Sequence, residues 1–230
     1  MATIFDNLQA VRSRIAEAAR AAGRNPDDIK LLAVSKTFGA DAIRAAVAAG
    51  QRAFGENYVQ ESVGKIAQCA GLGLEWHFIG PIQSNKTRPI AEIFSWVHSI
   101  ERLKVAQRLS QARAPRQPRL QVCIQVNVSG ESSKSGVAPA ELDGLAKEVA
   151  QLPGLELRGL MAIPEPTDDT ALQRARFADL RRLRERLRGT GLELDTLSMG
   201  MSADLEAAIL EGATIVRVGT AIFGERTKTN

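Results

Sequence analysis

The chain has 230 residues, 44% hydrophobic and 24% charged, the proportions of a soluble globular protein long enough to bury a full core. Basic residues exceed acidic ones by 30 to 26, with much of the excess in residues 108–119 and 174–188; aromatics make up only 4% and none falls between those arginines, so both runs read as solvated helix faces and not as a nucleic-acid surface. Two distant cysteines, no basic leader ahead of an apolar segment and no apolar run near the ~20 residues of a membrane span argue against a disulfide scaffold, a redox or metal site and a membrane protein, and a cytoplasmic location is expected.

Apolar residues at Phe5, Leu8, Val11, Ile15, Ala18 and Ala22 recur at the spacing of an amphipathic helix, which Gly23 closes. The stretch Leu31-Leu32-Ala33-Val34-Ser35-Lys36-Thr37 is an apolar run of strand length that ends on a single lysine. In a strand, Leu32, Val34 and Lys36 share one face while Leu31, Ala33 and Ser35 share the other. An ammonium on an apolar face is partly desolvated, which lowers its pKa and makes the nucleophilic free amine more accessible. Lys36 is thus a candidate Schiff-base lysine; the alternative is a strand-end lysine reaching out to water.

Further along, residues 40–49 predict a helix ended by Gly50, 52–55 a strand, 57–69 a helix, 75–80 a strand, 85–93 a helix, 96–99 a strand and 101–113 a helix. Residues 119–128 alternate strictly, with Val122, Ile124, Val126 and Val128 on one face and Gln121, Cys123, Gln125 and Asn127 on the other. Helix 139–151, strand 155–163, helix 170–188, strand 194–199, helix 203–211, strand 214–218 and one helical turn from Thr220 complete the pattern. Eight strands alternating with helices predict a single-domain α/β chain over residues 1–230, a closed (β/α)8 TIM barrel with an extra N-terminal helix. A doubly wound open sheet is the alternative, but it would be apolar on both faces, unlike residues 119–128.

Barrels carry their chemistry at the carboxyl ends of the strands. Those ends supply Lys36, Glu56, Asn57, His77, Gly80, Ser99, Asn127, Met161, Pro164, Ser198, Gly200, Arg217, Gly219 and Thr220. Ser198-Met199-Gly200-Met201-Ser202 and Gly219-Thr220-Ala221 follow strands seven and eight, where barrels often bind phosphate; ordinary strand-to-helix turns would use the same residue types. Arg217 shares a strand face with Ile215, and if that face points inward its guanidinium, set against a pyridine nitrogen, would keep the nitrogen unprotonated. His77 and His98 read as satisfied strand-end histidines, and no metal site is expected.

Leu31 to Thr37, Phe54-Gly55-Glu56-Asn57-Tyr58-Val59-Gln60-Glu61, Trp76-His77-Phe78-Ile79-Gly80 with Gln83, Asn85 and Lys86, Gly159-Leu160-Met161, Leu197 to Ser202 with Asp204, and Arg217-Val218-Gly219-Thr220-Ala221-Ile222-Phe223-Gly224 occur in this order. Together they resemble the pyridoxal phosphate homeostasis protein family, which is similar to the barrel domain of alanine racemase. The resemblance implies that Lys36 holds pyridoxal 5′-phosphate as an internal aldimine. It implies Ser202, Gly219 and Thr220 as phosphate contacts, with Met199 of the same loop among the cofactor-binding residues. It places Arg217 near the pyridine nitrogen, Asn57 near the ring, and Lys134 as a second cofactor-responsive lysine. Phe38 stands where many members have a lysine.

The implied role is buffering or delivery of the cofactor without robust turnover, in a monomer, with apo forms of pyridoxal phosphate enzymes as recipients. A racemase-like enzyme using this cofactor and a Schiff-base aldolase acting on a sugar phosphate are the alternatives. In alanine racemase the tyrosine opposite the lysine comes from an additional carboxy-terminal domain. Here the only tyrosine is Tyr58 and six residues follow Gly224, so little racemisation is expected.

Overall fold

The computed structural model describes residues 2–130 and 135–225. Eight strands, β1 Lys30–Val34, β2 Ala53–Glu56, β3 Glu75–Phe78, β4 Trp96–Ile100, β5 Leu120–Gln125, β6 Leu155–Met161, β7 Thr196–Ser198 and β8 Ile215–Val218, pair in parallel in chain order. β8 pairs back onto β1, so the sheet closes into the expected barrel. Helices α2 Ala40–Ala48, α3 Val59–Gln68, α4 Thr87–Ile93, α5 Leu103–Ala112, α6 Leu142–Ala150, α7 Thr170–Arg188, α8 Leu205–Leu210 and α9 Thr220–Phe223 follow the strands, and α1 Ile4–Ala21 precedes them.

The initial helix α1 starts on a capping box, in which Thr3 Oγ1 accepts from Asp6 N–H at 3.2 Å and Asp6 Oδ2 accepts from Thr3 N–H at 3.0 Å. Its buried stripe of Leu8, Val11, Ile15, Ala18 and Ala19 packs toward α2, α8 and α9. Asn7 donates to the carbonyl of Ile222 at 2.9 Å, and Arg14 pairs with Glu206 at 2.8 Å. The extra helix therefore braces the two ends of the chain where β8 meets β1.

Strand alternation divides the core in two. Leu32, Ala53, Trp96, Cys123, Met161 and Ile215 form a small cluster inside the barrel. Ala33, Phe54, Trp76, Phe78, Val97, Val122, Ile124, Leu160, Leu197, Val216 and Val218 point the other way, into the larger layer shared with the helices. β5 behaves as its alternation predicts, Cys123 inward and Val122 and Ile124 outward, but it ends at Gln125 and not near Val128. The returning segment at Val137 takes over the hydrogen bonding there: Asn127 N–H donates to Val137 O and Val137 N–H to Gln125 O.

The arginine-rich α7 is tied to its surroundings by ion pairs. Arg174 and Arg181 both reach Glu211, and Arg186 reaches Asp143. Cys69 and Cys123 are buried thiols, and burial pushes Cys123 up to about 12, so neither is a reactive cysteine. Among the described residues no helix is long and apolar enough to cross a membrane, and no three potential ligands gather around a metal position.

Candidate functional site

The register of the sheet gathers the candidate residues into one arc. Ala33 pairs with Val218 and Val34 with Gly55, so the residues after β1 emerge between those after β8 and those after β2. Lys36, Gly219 with Thr220, and Asn57 are thereby neighbours at the carboxyl end of the barrel. Arg217 N–H donates to Gly200 O at 2.9 Å, which brings the β7 loop carrying Ser202 alongside β8.

β1 ends two residues before Lys36, which lies in a turn closed by Phe38 N–H donating to Ser35 O at 3.0 Å. Ser35 points outward, its hydroxyl donating to Glu56 Oε1 at 2.6 Å, and Lys36 follows it just beyond the carboxyl end of β1. Lys65 of α3, almost fully buried, donates to Ser35 O at 2.8 Å, Glu56 Oε1 at 2.7 Å and Glu61 Oε1 at 2.6 Å, which uses all three of its protons. Burial raises the Glu56 pKa against the opposing pull of Lys65 and Ser35. Sequence reasoning placed Glu56 among the strand-end groups; the structure turns it outward, toward Ser35 and Lys65. The only signal for this cluster is the i,i+4 spacing of Glu61 and Lys65.

The loops after β7 and β8 present backbone donors. Among the described residues, the N–H groups of Ser202, Ala203, Thr220 and Ala221 have no hydrogen-bond partner. Gly219 runs against β1: a Cβ there would lie 3.2 Å from Val34 O. Ser202 does not cap α8, whose N-cap is Asp204; the Asp204 carboxylate accepts from Met201 N–H at 2.5 Å and shapes the loop. Met199 is a correction to the expected set. Ser198 faces inward, so Met199 packs outward into the helix layer, and its N–H is spent on Ile215 O at 3.1 Å. Asn57 is not a helix cap either, since α3 starts from Tyr58; its Oδ1 is buried with no partner. Gly80 lets the β3 loop pass so close that a Cβ would collide with the Asn57 backbone. Lys134 lies outside the described residues.

His77 and His98 are not strand-end groups but lie inside the barrel, in a hydrogen-bonded chain. Glu75 Oε1 stands 2.7 Å from His77 Nε2, His77 Nδ1 2.8 Å from His98 Nε2, and His98 Nδ1 2.7 Å from Ser198 Oγ. Arg217 Nη1 donates to Ser198 Oγ at 2.7 Å and Nη2 to Ala162 O at 2.9 Å. Since a carboxylate only accepts, His77 carries its proton on Nε2, His98 then donates from Nε2, and Ser198 donates to His98 Nδ1. Every bond runs one way, from the Arg217 guanidinium to the Glu75 carboxylate. The bond from His77, with help from Lys30 at 2.6 Å, holds Glu75 down to about 2. Burial lowers both histidines and brings Arg217 down to about 10, so at neutral pH the imidazoles are neutral and the guanidinium is charged.

Two open hollows of about 1340 and 640 Å³ lie at the opposite end of the barrel, near Arg158 with Asp195 and near Lys30 with Glu75. In the first Arg158 pairs with Asp195, and in the second Lys30 pairs with Glu75. The arc at the carboxyl end, with a lysine, a guanidinium, unpartnered N–H groups and a buried amide oxygen without a partner, suits a phosphorylated pyridine aldehyde.

Comparison with known proteins is consistent with that geometry. The family model described as alanine racemase, N-terminal domain, matches residues 7–227. The pyridoxal phosphate homeostasis protein of Pseudomonas aeruginosa is 66% identical over 226 residues, covering 98% of this chain and 97% of that one. PipY of Synechococcus elongatus, solved with PLP bound, is 41% identical with a TM-score of 0.81, covering 91% of this chain and all of that one. An alanine racemase from Corynebacterium glutamicum shares the fold at 21% identity and a TM-score of 0.67, this chain spanning 63% of its length.

The neutral histidine pair makes stability depend on pH with a definite sign. Both histidines titrate lower in the folded chain than their ordinary value near 6.5, so below that value the unfolded chain binds protons that the folded chain refuses. Stability should be full above pH 6.5 and fall below it, by up to about 1.4 kcal/mol per pH unit for each histidine. Urea midpoints at pH 7.5 and 5.5 measure this; equal midpoints would contradict the neutral chain.

Proposed function

Because the chain belongs to the pyridoxal phosphate homeostasis protein family, we propose that it holds pyridoxal 5′-phosphate reversibly on Lys36 and buffers or delivers the cofactor without turning over a substrate. The observation that carries this reading is the register-built arc in which Lys36 stands between Asn57 on one side and Gly219 and Thr220 on the other. When bound, the cofactor supplies an aldehyde that condenses reversibly with a primary amine.

The chain's own residues then divide the work. Lys36 provides the amine at the mouth of the barrel. The N–H groups of Ser202, Ala203, Thr220 and Ala221, together with the hydroxyls of Ser202 and Thr220, hold the phosphate. Gly219 keeps that cradle close to β1. Asn57 Oδ1, buried without a partner, accepts a hydrogen bond from a donor on the ring. Arg217 presents a fixed positive charge, held by Ser198 and Ala162, and so keeps a ring nitrogen facing it an acceptor without a proton. A cytoplasmic monomer of one domain, with apo enzymes as recipients, completes the reading.

Lys36→Ala should abolish the visible absorbance of the loaded protein and leave its urea midpoint close to wild type. Borohydride reduction and peptide mapping should place the adduct on Lys36; an adduct confined to Lys86 or Lys134 would overturn the assignment.

Thr220→Ala, or Gly219→Val, should weaken cofactor retention more than folding. Each lost charge-assisted contact to phosphate is worth about 1.5–3 kcal/mol, or roughly ten- to over a hundred-fold in affinity. Phosphate-free pyridoxal should bind wild type correspondingly less tightly, and equal affinities would rule out the cradle.

Racemisation of an amino acid needs proton-transfer groups on both faces of the bound substrate, and Lys36 serves one. Tyr58, the only tyrosine, is half-exposed where α3 begins. The loaded protein should therefore interconvert alanine enantiomers negligibly; steady turnover that Lys36→Ala abolishes would sink the carrier reading.

A further inference from the structure

Thr37 has φ of 70°, and it is the only non-glycine residue with positive φ among the described residues. It directly follows Lys36. The turn Ser35-Lys36-Thr37-Phe38 closes through Phe38 N–H and Ser35 O, with Thr37 third, the place where a type II turn takes positive φ and favours glycine. A β-branched residue held there is strained, by roughly 1–3 kcal/mol. Something in the surrounding structure has to hold it.

The restraint comes from α3. Glu61 Oε1 accepts from Thr37 N–H at 2.7 Å, and the same oxygen accepts from Lys65 at 2.6 Å. Lys65 in turn grips Ser35 O at 2.8 Å and the wholly buried Glu56 at 2.7 Å. Both peptide groups flanking Lys36 are thus tied to one helix turn through two side chains spaced i,i+4. On the far side, the Phe38 ring stacks on Phe223 of α9 with centroids 5.1 Å apart, fastening the next residue.

We propose that Glu61 is a positioning residue for Lys36: by accepting from Thr37 N–H while anchored on Lys65, it holds a glycine-type turn where the chain has threonine and so fixes the point from which the lysine amine emerges. The proposal rests on the reading of Lys36 as the cofactor-bearing lysine. Its function is geometric. The amine adds to the aldehyde carbon and water leaves, and that addition is fast only when the amine is presented within reach of the bound aldehyde. Without the Glu61 acceptor the turn relaxes toward negative φ at Thr37, and Lys36 swings with it.

The test measures the rate and extent of loading with pyridoxal 5′-phosphate by visible absorbance and by borohydride-fixed adduct on Lys36, with urea midpoints taken on the same proteins. Glu61→Ala should slow loading about tenfold, because the glycine-type turn at Thr37 is then no longer held. Adding Thr37→Gly to that variant should restore most of the rate, because glycine adopts the turn without restraint. A role of Glu61 confined to helix stability would not be rescued by a change at residue 37. Thr37→Pro, which forbids the positive φ and removes the N–H donated to Glu61, should lose loading by more than its urea midpoint accounts for. Wild type that forms no adduct on Lys36 would sink the proposed function itself. Wild type that loads, alongside Glu61→Ala that loads equally fast or is not rescued by Thr37→Gly, would overturn this inference alone, as would undiminished loading of Thr37→Pro.

Discussion

Closure of a parallel sheet leaves each strand residue only two places to go, the sealed interior or the layer beneath the helices, and the rest of this structure depends on that alternation. Leu32 goes in and Ala33 out, which places Ser35 against α3 and leaves Lys36 just beyond the carboxyl end of β1. Ile215 goes in with Arg217, and Ser198 goes in while Met199 goes out. Two neighbours in one loop therefore have opposite fates, although both sit where barrels put their chemistry.

An interior that receives polar groups must satisfy them there, because an unpaired buried group costs about 1–3 kcal/mol and a charge far more. The chain from Glu75 through His77, His98 and Ser198 to Arg217 meets this by running every donor in the same direction, with the negative end near Lys30 and the positive end at Arg217. Arg217 spends its donors on a serine and a carbonyl rather than on a carboxylate, so its charge is not cancelled by a direct partner. A guanidinium held that way presents positive charge to whatever stands above it.

Around the mouth, the same economy appears in the outer layer. The buried pair of Glu56 and Lys65 would be a weak source of stability by itself, since desolvation offsets much of its attraction. Its value lies in where it points: one lysine with three fixed donors ties β2, α3 and the β1 turn at a single spot. Phe38 adds an apolar fastening to α9 by stacking on Phe223. In this chain that residue secures the loop and adds no second amine.

The sequence by itself determined the barrel, because eight strand-helix alternations and a strand polar on one face leave little else, and α7 matches its expected span of Thr170–Arg188. It also singled out Lys36, Arg217 and the glycine- and hydroxyl-rich loops after β7 and β8 as groups at or near strand ends, which is where the barrel carries them. What only the tertiary structure decided were the pairings across strands distant in sequence. Nothing local says that His98 meets Ser198, a hundred residues on, or that Val137 returns to end β5 early. Glu56 looks like a mouth residue until burial among Ser35, Lys65 and Glu61 turns it outward, and Thr37 gives no local sign of positive φ. Propensity and periodicity act within a few residues, whereas hydrogen-bond satisfaction in a closed interior is settled only when all eight strands are in place.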